Sequence, residues 1–218
     1  MYQNIATKVL TGEVRLSYAN LSTPRAPQQG GDPKYSVTLL IPKTDTATVA
    51  DINQSIQAAY EEGVSKKWGG AHPTLKTLVH DGDGLRDSGL PYGDECKGCW
   101  VLTAGTKNKP QVVGIDNINC ELAPSDVYSG MYARVTINFF AYDTAGSKGV
   151  GCGLGNVLKT RDGEPLAGGA SAASDFEGLG QSFTTQPGIP GFQQQQMPSA
   201  QTQPGVNPAI NPITGMPW

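Results

Sequence analysis

The chain has 218 residues and a net charge of −3, so it lacks the basic excess that by itself would suggest a nucleic-acid binder, and any phosphate recognition would depend on local clusters of Lys and Arg. All formal charge lies in residues 1–177, because residues 178–218 hold no Asp, Glu, Lys or Arg. No run approaches the roughly 20 apolar residues of a membrane span, residues 1–10 carry no signal-peptide pattern, and Cys96, Cys99, Cys120 and Cys152 read as free thiols of a reducing cytoplasm.

Residues 8–21 alternate as a strand, with Val14, Leu16 and Tyr18 on one face and Glu13, Arg15 and Ser17 on the other. Residues 22–33 contain Pro24, Pro27, Gly30, Gly31 and Pro33, which break a ladder and predict a loop that carries Arg25. Residues 34–41 form a second strand, stopped by Pro42. A helix capped by Asp45 or Thr48 follows, with Val49, Ile52, Ile56, Ala59, Tyr60 and Val64 at the three-and-four spacing of one buried stripe. Gly63 weakens its end, and Gly69 with Gly70 stops it after Lys66, Lys67 and Trp68. Residues 69–95 read as a long surface excursion. Strand character returns at residues 97–104, followed by a basic turn at Lys107 and Lys109 and a short strand at residues 111–115.

Residues 131–142 are the most informative stretch. Met131, Ala133, Val135, Ile137, Phe139 and Ala141 fall on one face as a core row. Tyr132, Arg134, Thr136, Asn138, Phe140 and Tyr142 fall on the other, a mixture of aromatics and a cation that suits base stacking and phosphate neutralisation together. A tight connection at residues 144–147 leads into a strand at residues 148–159, whose alternating glycines imply bending or close backbone approach, as at a barrel corner.

The predicted fold is mainly β with one substantial inserted helix: an OB-fold-like, five- to six-stranded, partly open barrel, with a two-layer sandwich as the rival. Residues 1–177 form its single domain, and residues 178–218 form a disordered Pro-, Gly- and Gln-rich tail.

Catalytic and metal motifs are weak. Cys96 and Cys99 run into a strand instead of opening a helix, and the remaining Cys and His spacings supply no second half of a zinc site. Residues 80–84 resemble a calcium loop only faintly, lacking its distal Glu. Residues 151–155 have neither the context nor the Lys-Ser/Thr ending of a phosphate loop. With only His72 and His80, no nucleophile and base pair suggests itself, so neither an enzyme nor a cofactor is expected. What remains is a set of aromatics and cations on strands and adjoining loops: Arg15, Tyr18, Arg25, Lys34, Trp68, Lys97, Trp100, Lys107, Lys109, Tyr132, Arg134, Phe140, Tyr142 and Lys148. All but Trp68 are taken as candidate DNA contacts.

The segments Gly12-Glu-Val-Arg-Leu-Ser-Tyr18, residues 33–43, Lys97-Gly-Cys-Trp100, residues 128–139, residues 149–157 and residues 162–169 together resemble a bacteriophage and prophage family labelled single-stranded DNA-binding proteins, in order over about residues 5–180. The resemblance implies an OB-fold core acting in DNA replication, recombination and repair in the bacterial host's cytoplasm, with single-stranded DNA as the partner. It brings no set of contact residues. Many such proteins end in an acidic segment that recruits replication partners, whereas here acidity stops at Asp175 and Glu177. Phe176 and Trp218 are the residues through which the tail would meet replication or recombination proteins. A homodimer is compatible with the sequence, and a virion-associated or protein-interaction β-barrel module is the alternative function.

Overall fold

The computed structural model describes residues 2–26, 30–144 and 147–166. In chain order its elements are β1 (Lys8–Leu10), β2 (Val14–Arg25), β3 (Lys34–Pro42), helix α1 (Thr46–Lys66), β4 (Val79–Asp81), β5 (Cys99–Thr106), β6 (Val112–Gly114), β7 (Asn117–Glu121), β8 (Tyr132–Thr144) and β9 (Ser147–Arg161). Five of the strands close a ring in the order β2, β3, β5, β9, β8 and back to β2. All neighbours in the ring are antiparallel except β5 and β9, which meet in parallel at Gly105 and Gly153. This is the five-stranded OB-fold barrel, with the helix inserted between the second and third ring strands. The short strands are additions: β1 on β8, β4 on β5, β6 on β9 and β7 on β6.

Alternation fills the barrel. Val14 and Leu16 of β2, Val37, Leu39 and Ile41 of β3, Leu102 and Ala104 of β5, and Ala133, Val135, Ile137 and Phe139 of β8 form one buried cluster. Burying side chains of this size contributes roughly 1.5–3 kcal/mol each.

The helix packs on β8 through a stripe smaller than the sequence suggests. Thr48, Ile52, Ser55, Ala59 and Gly63 are its buried positions, while Val49, Ile56, Tyr60 and Val64 lie on the shoulders. Gly63 is there for closeness: a Cβ on it would stand 2.7 Å from both the Ala141 Cβ and the Trp68 ring. Trp68 is itself buried, its indole N–H donating to the Tyr142 carbonyl at 2.9 Å, and Lys67 Nζ donates to the Ala141 carbonyl at 2.8 Å. Asp45 is the cap, its Oδ1 accepting from the Thr48 N–H at 3.0 Å.

Several expected boundaries move. The single strand over residues 8–21 is two, because Gly12 turns in against the helix start and donates its N–H to Thr48 Oγ1 at 2.8 Å. The predicted loop begins later than residue 22, since β2 continues through Pro24 to Arg25, which pairs with Lys34 after a shift in register. The excursion over residues 69–95 contains β4 and a bridge between Leu85 and Pro91. Its Asp81 and Asp83 both pair with Lys43, at 2.5 and 2.7 Å, and Asp83 also accepts from the Gly98 N–H. Strand β7 has no counterpart in the sequence reading. No helix among the described residues is long and apolar enough to cross a membrane. The tail, with Phe176 and Trp218, lies outside the described residues.

Candidate nucleic-acid interface

The outer face of β8 lies over a track of glycine. Tyr142 is directly opposite Gly149, Phe140 opposite Gly151 and Asn138 opposite Gly153. A Cβ on Gly151 would stand 2.8 Å from the Phe140 Cζ, and one on Gly149 would stand 2.5 Å from the Tyr142 hydroxyl oxygen. Each β8 side chain therefore reclines across the neighbouring strand, an arrangement in which a ring covers a strand glycine. The alternating glycines of β9 mark this close approach of side chains, in place of the barrel corner expected. Phe140 remains 45% exposed, a large apolar ring offered to solvent.

Register extends this surface across the ring. Asn138, Gly153, Gly105 and Ser36 are successive partners through β8, β9, β5 and β3. A second row runs Thr103, Thr38, Ser17 through β5, β3 and β2, with the two Thr hydroxyls 3.1 Å apart. The alternate residues Val37, Leu39, Leu102 and Ala104 are in the core, so both rows face outward. Their side chains are small. The result is a floor low enough for a planar ring or a sugar-phosphate chain to lie against.

Cations gather at one margin of the floor. Arg25 and Lys34 are cross-strand partners, an arrangement of like charge that destabilises a ladder. Tyr35 pairs with Thr106, so the next residues along the two strands are Lys34 and Lys107. Lys34, Lys107, Asn138 and Phe140 line one open groove of about 340 Å3. Asp32 supplies countercharge, 2.5 Å from Lys107, and its carboxyl is held below the usual range by that hydrogen bond and the nearby Lys34.

At the other margin, Tyr18, Thr38, Thr103, His80, Arg86 and Tyr92 share a groove of about 250 Å3. Tyr18 is 58% exposed and has φ +47°, a left-handed conformation rare for a bulky residue, at the point where β2 slips register between Ser17 and Asn20. The Arg86 guanidinium sits 5.0 Å from the centre of the Tyr92 ring.

The sequence pattern of the family described as Enterobacter phage Enc34, ssDNA-binding protein, matches residues 7–185. The chain belongs to this family. Within the Enc34 family, the single-stranded DNA-binding protein of bacteriophage Enc34, solved in complex with ssDNA, is 28% identical and superposes with a TM-score of 0.63 over 74% of this chain and 90% of its own. Protein p50 of Acyrthosiphon pisum secondary endosymbiont phage 1 is 29% identical over 177 residues, 79% of this chain and 94% of that protein. The single-stranded DNA-binding protein gp2.5 of bacteriophage T7 shares the fold, with a TM-score of 0.51 over 83% of this chain and 98% of its own, at 15% identity. The resemblance expected over about residues 5–180 thus has its counterpart in a match of nearly the same extent.

On this Enc34-type barrel the candidate contacts divide. Tyr18, Arg25, Lys34, Lys107, Phe140 and Tyr142 border the outer floor. Tyr132 is enclosed instead, with Arg161 3.4 Å above its ring centre and Arg15 5.9 Å away. Arg15 donates to the carbonyls of Gly130 and Glu164, and Arg161 pairs with Glu13 at 2.9 Å. Arg134 donates to the Thr11 carbonyl at 3.1 Å. Trp100 shares the core-side face of β5 with Leu102, and Lys43 stands 5.1 Å from its ring centre. Lys97 pairs with Asp94, Lys109 with Glu121 and Lys148 with Asp143. The Lys148 pair shares the hairpin face of Ala141 and Val150, opposite Phe140.

Ser36, Thr38, Thr103, Gly105, Gly153, Arg86 and Tyr92 were not foreseen. The one signal for them is that the β9 glycines repeat in step with the polar face of β8. Burial pushes the Cys96 thiol up to about 11, with Glu95 adding to the effect, so it is a poor thiolate donor at neutral pH.

Proposed function

We propose that this chain binds single-stranded DNA along the outer floor of its barrel, with little sequence preference and no catalytic step, in phage DNA replication, recombination and repair in the bacterial cytoplasm. The observation that carries the reading is the convergence of Arg25, Lys34 and Lys107 beside the exposed Phe140, above a floor of Ser, Thr and Gly. Like charges set side by side raise the energy of the free protein and lower it when an anionic chain lies between them. The cations neutralise backbone phosphates. Phe140, Tyr142 and Tyr18 stack bases, each stacked base contributing about 1–3 kcal/mol. The left-handed backbone at Tyr18 supports the same role, because strain of this kind is kept where it aims a side chain. Membership of the Enc34 family, and a family relative solved with ssDNA, support the choice of ligand.

Fluorescence titration with oligo-dT over a range of salt tests this. Affinity falls steeply with salt, and Lys34→Gln with Lys107→Gln flattens the log–log slope by up to about 1.4, the full share of two single-strand phosphates. Absence of binding at low salt overturns the reading.

A further inference from the structure

Four of the eight cations that sequence reasoning assigned to DNA already carry a carboxylate: Lys97, Lys107, Lys109 and Lys148. Of these, Lys107 is the one that borders the groove with Phe140. Its partner Asp32 stands two residues before β3, and both side chains are mostly exposed, 67% for Lys107 and 71% for Asp32. Within the cationic margin Asp32 is thus an anion held on the ammonium that would otherwise meet a phosphate. Neither side chain is needed to close the core.

We propose that Asp32 is a built-in phosphate mimic: it occupies Lys107 in the free protein, must be displaced when a DNA phosphate arrives, and so holds affinity below what the cations alone would give. The proposal rests on the DNA-binding reading above. Its physical basis is exchange of one anion for another at a single ammonium. Each phosphate that replaces Asp32 frees a carboxylate that recruits a salt cation, which cuts the net ion release of binding. An exposed pair of this kind is weak, so displacement is easy and the effect on affinity is graded.

The test is a double-mutant cycle in the full-length chain, read by oligo-dT titration over a range of salt. Asp32→Asn tightens binding about two- to fivefold at low salt, and it steepens the salt slope by up to about 0.7. In a Lys107→Gln background the same change has no more effect than Asp94→Asn, which removes an equal charge from the off-groove pair with Lys97. Equal gains from Asp32→Asn and Asp94→Asn, or an undiminished gain without Lys107, overturn the proposal while leaving DNA binding intact. If the unaltered chain binds no oligo-dT, the DNA-binding reading fails first. Thermal melts identify any variant whose loss of binding is a loss of fold.

Discussion

Tyr132 and Phe140 occupy the same face of β8 and meet opposite surroundings. Around Tyr132 the neighbouring strands contribute Arg15 and Arg161, whose guanidinium groups cover the ring and are themselves tied to carbonyls and Glu13. Beside Phe140 the neighbouring strand contributes Gly151, which has nothing to cover the ring with. An aromatic on a polar strand face is therefore only half a binding determinant. The residue across the ladder decides whether the ring serves the fold or faces a ligand.

The largest effect expected along this strand separates adjacent residues. Phe139→Ala, inside the barrel, lowers the unfolding free energy by about 3–5 kcal/mol, measured by denaturant titration. Phe140→Ala leaves the unfolding midpoint nearly unchanged and removes about 1–3 kcal/mol of oligo-dT affinity. A reversal of these two outcomes would break the contrast between the faces.

A smaller effect concerns Cys152, the cross-strand partner of Phe139. Desolvation raises its thiol to about 12, and Cys96 stands at about 11. Both folded values exceed the ordinary thiol value of about 8.5, so the unfolded chain releases these protons first. Their contribution to stability is complete below about pH 8.5 and is lost as pH rises through 11 to 12. Unfolding curves should show an alkaline decline that Cys152→Ala makes shallower. The smallest effect belongs to Tyr132→Ala, which lowers the melting temperature but leaves both oligo-dT affinity and its salt slope in place. A loss of affinity in this variant would return Tyr132 to the interface.

The sequence exposed what alternates. Both faces of β8 were legible because the core row is apolar at every second position, and the helix was legible from its spacing and its Asp45 cap. Strand β7 was not, because all five of its residues are exposed and no pattern of burial marks it. The break at Gly12 was hidden because its cause, the helix start, is distant in sequence. In the site, Phe140 and the cations Arg25, Lys34 and Lys107 stood out by chemistry. The floor did not, because Ser, Thr and Gly acquire meaning only through register. Ion pairing was equally hidden: Lys107 and Asp32 are joined by the barrel and not by local sequence.

The end of the helix has a further consequence. Strand β1 accompanies β8 as far as Asn138, and the Thr7 carbonyl before it still accepts from the Phe139 N–H at 2.8 Å. Beyond it, the side chains of Lys67 and Trp68 reach the carbonyls of Ala141 and Tyr142. The Ala141 carbonyl, left open on that edge, would invite a strand from another molecule, the usual route from a sheet to an aggregate. Lys67 acts as a stopper there, so this edge of β8 ends against the protein's own helix instead of against a second molecule.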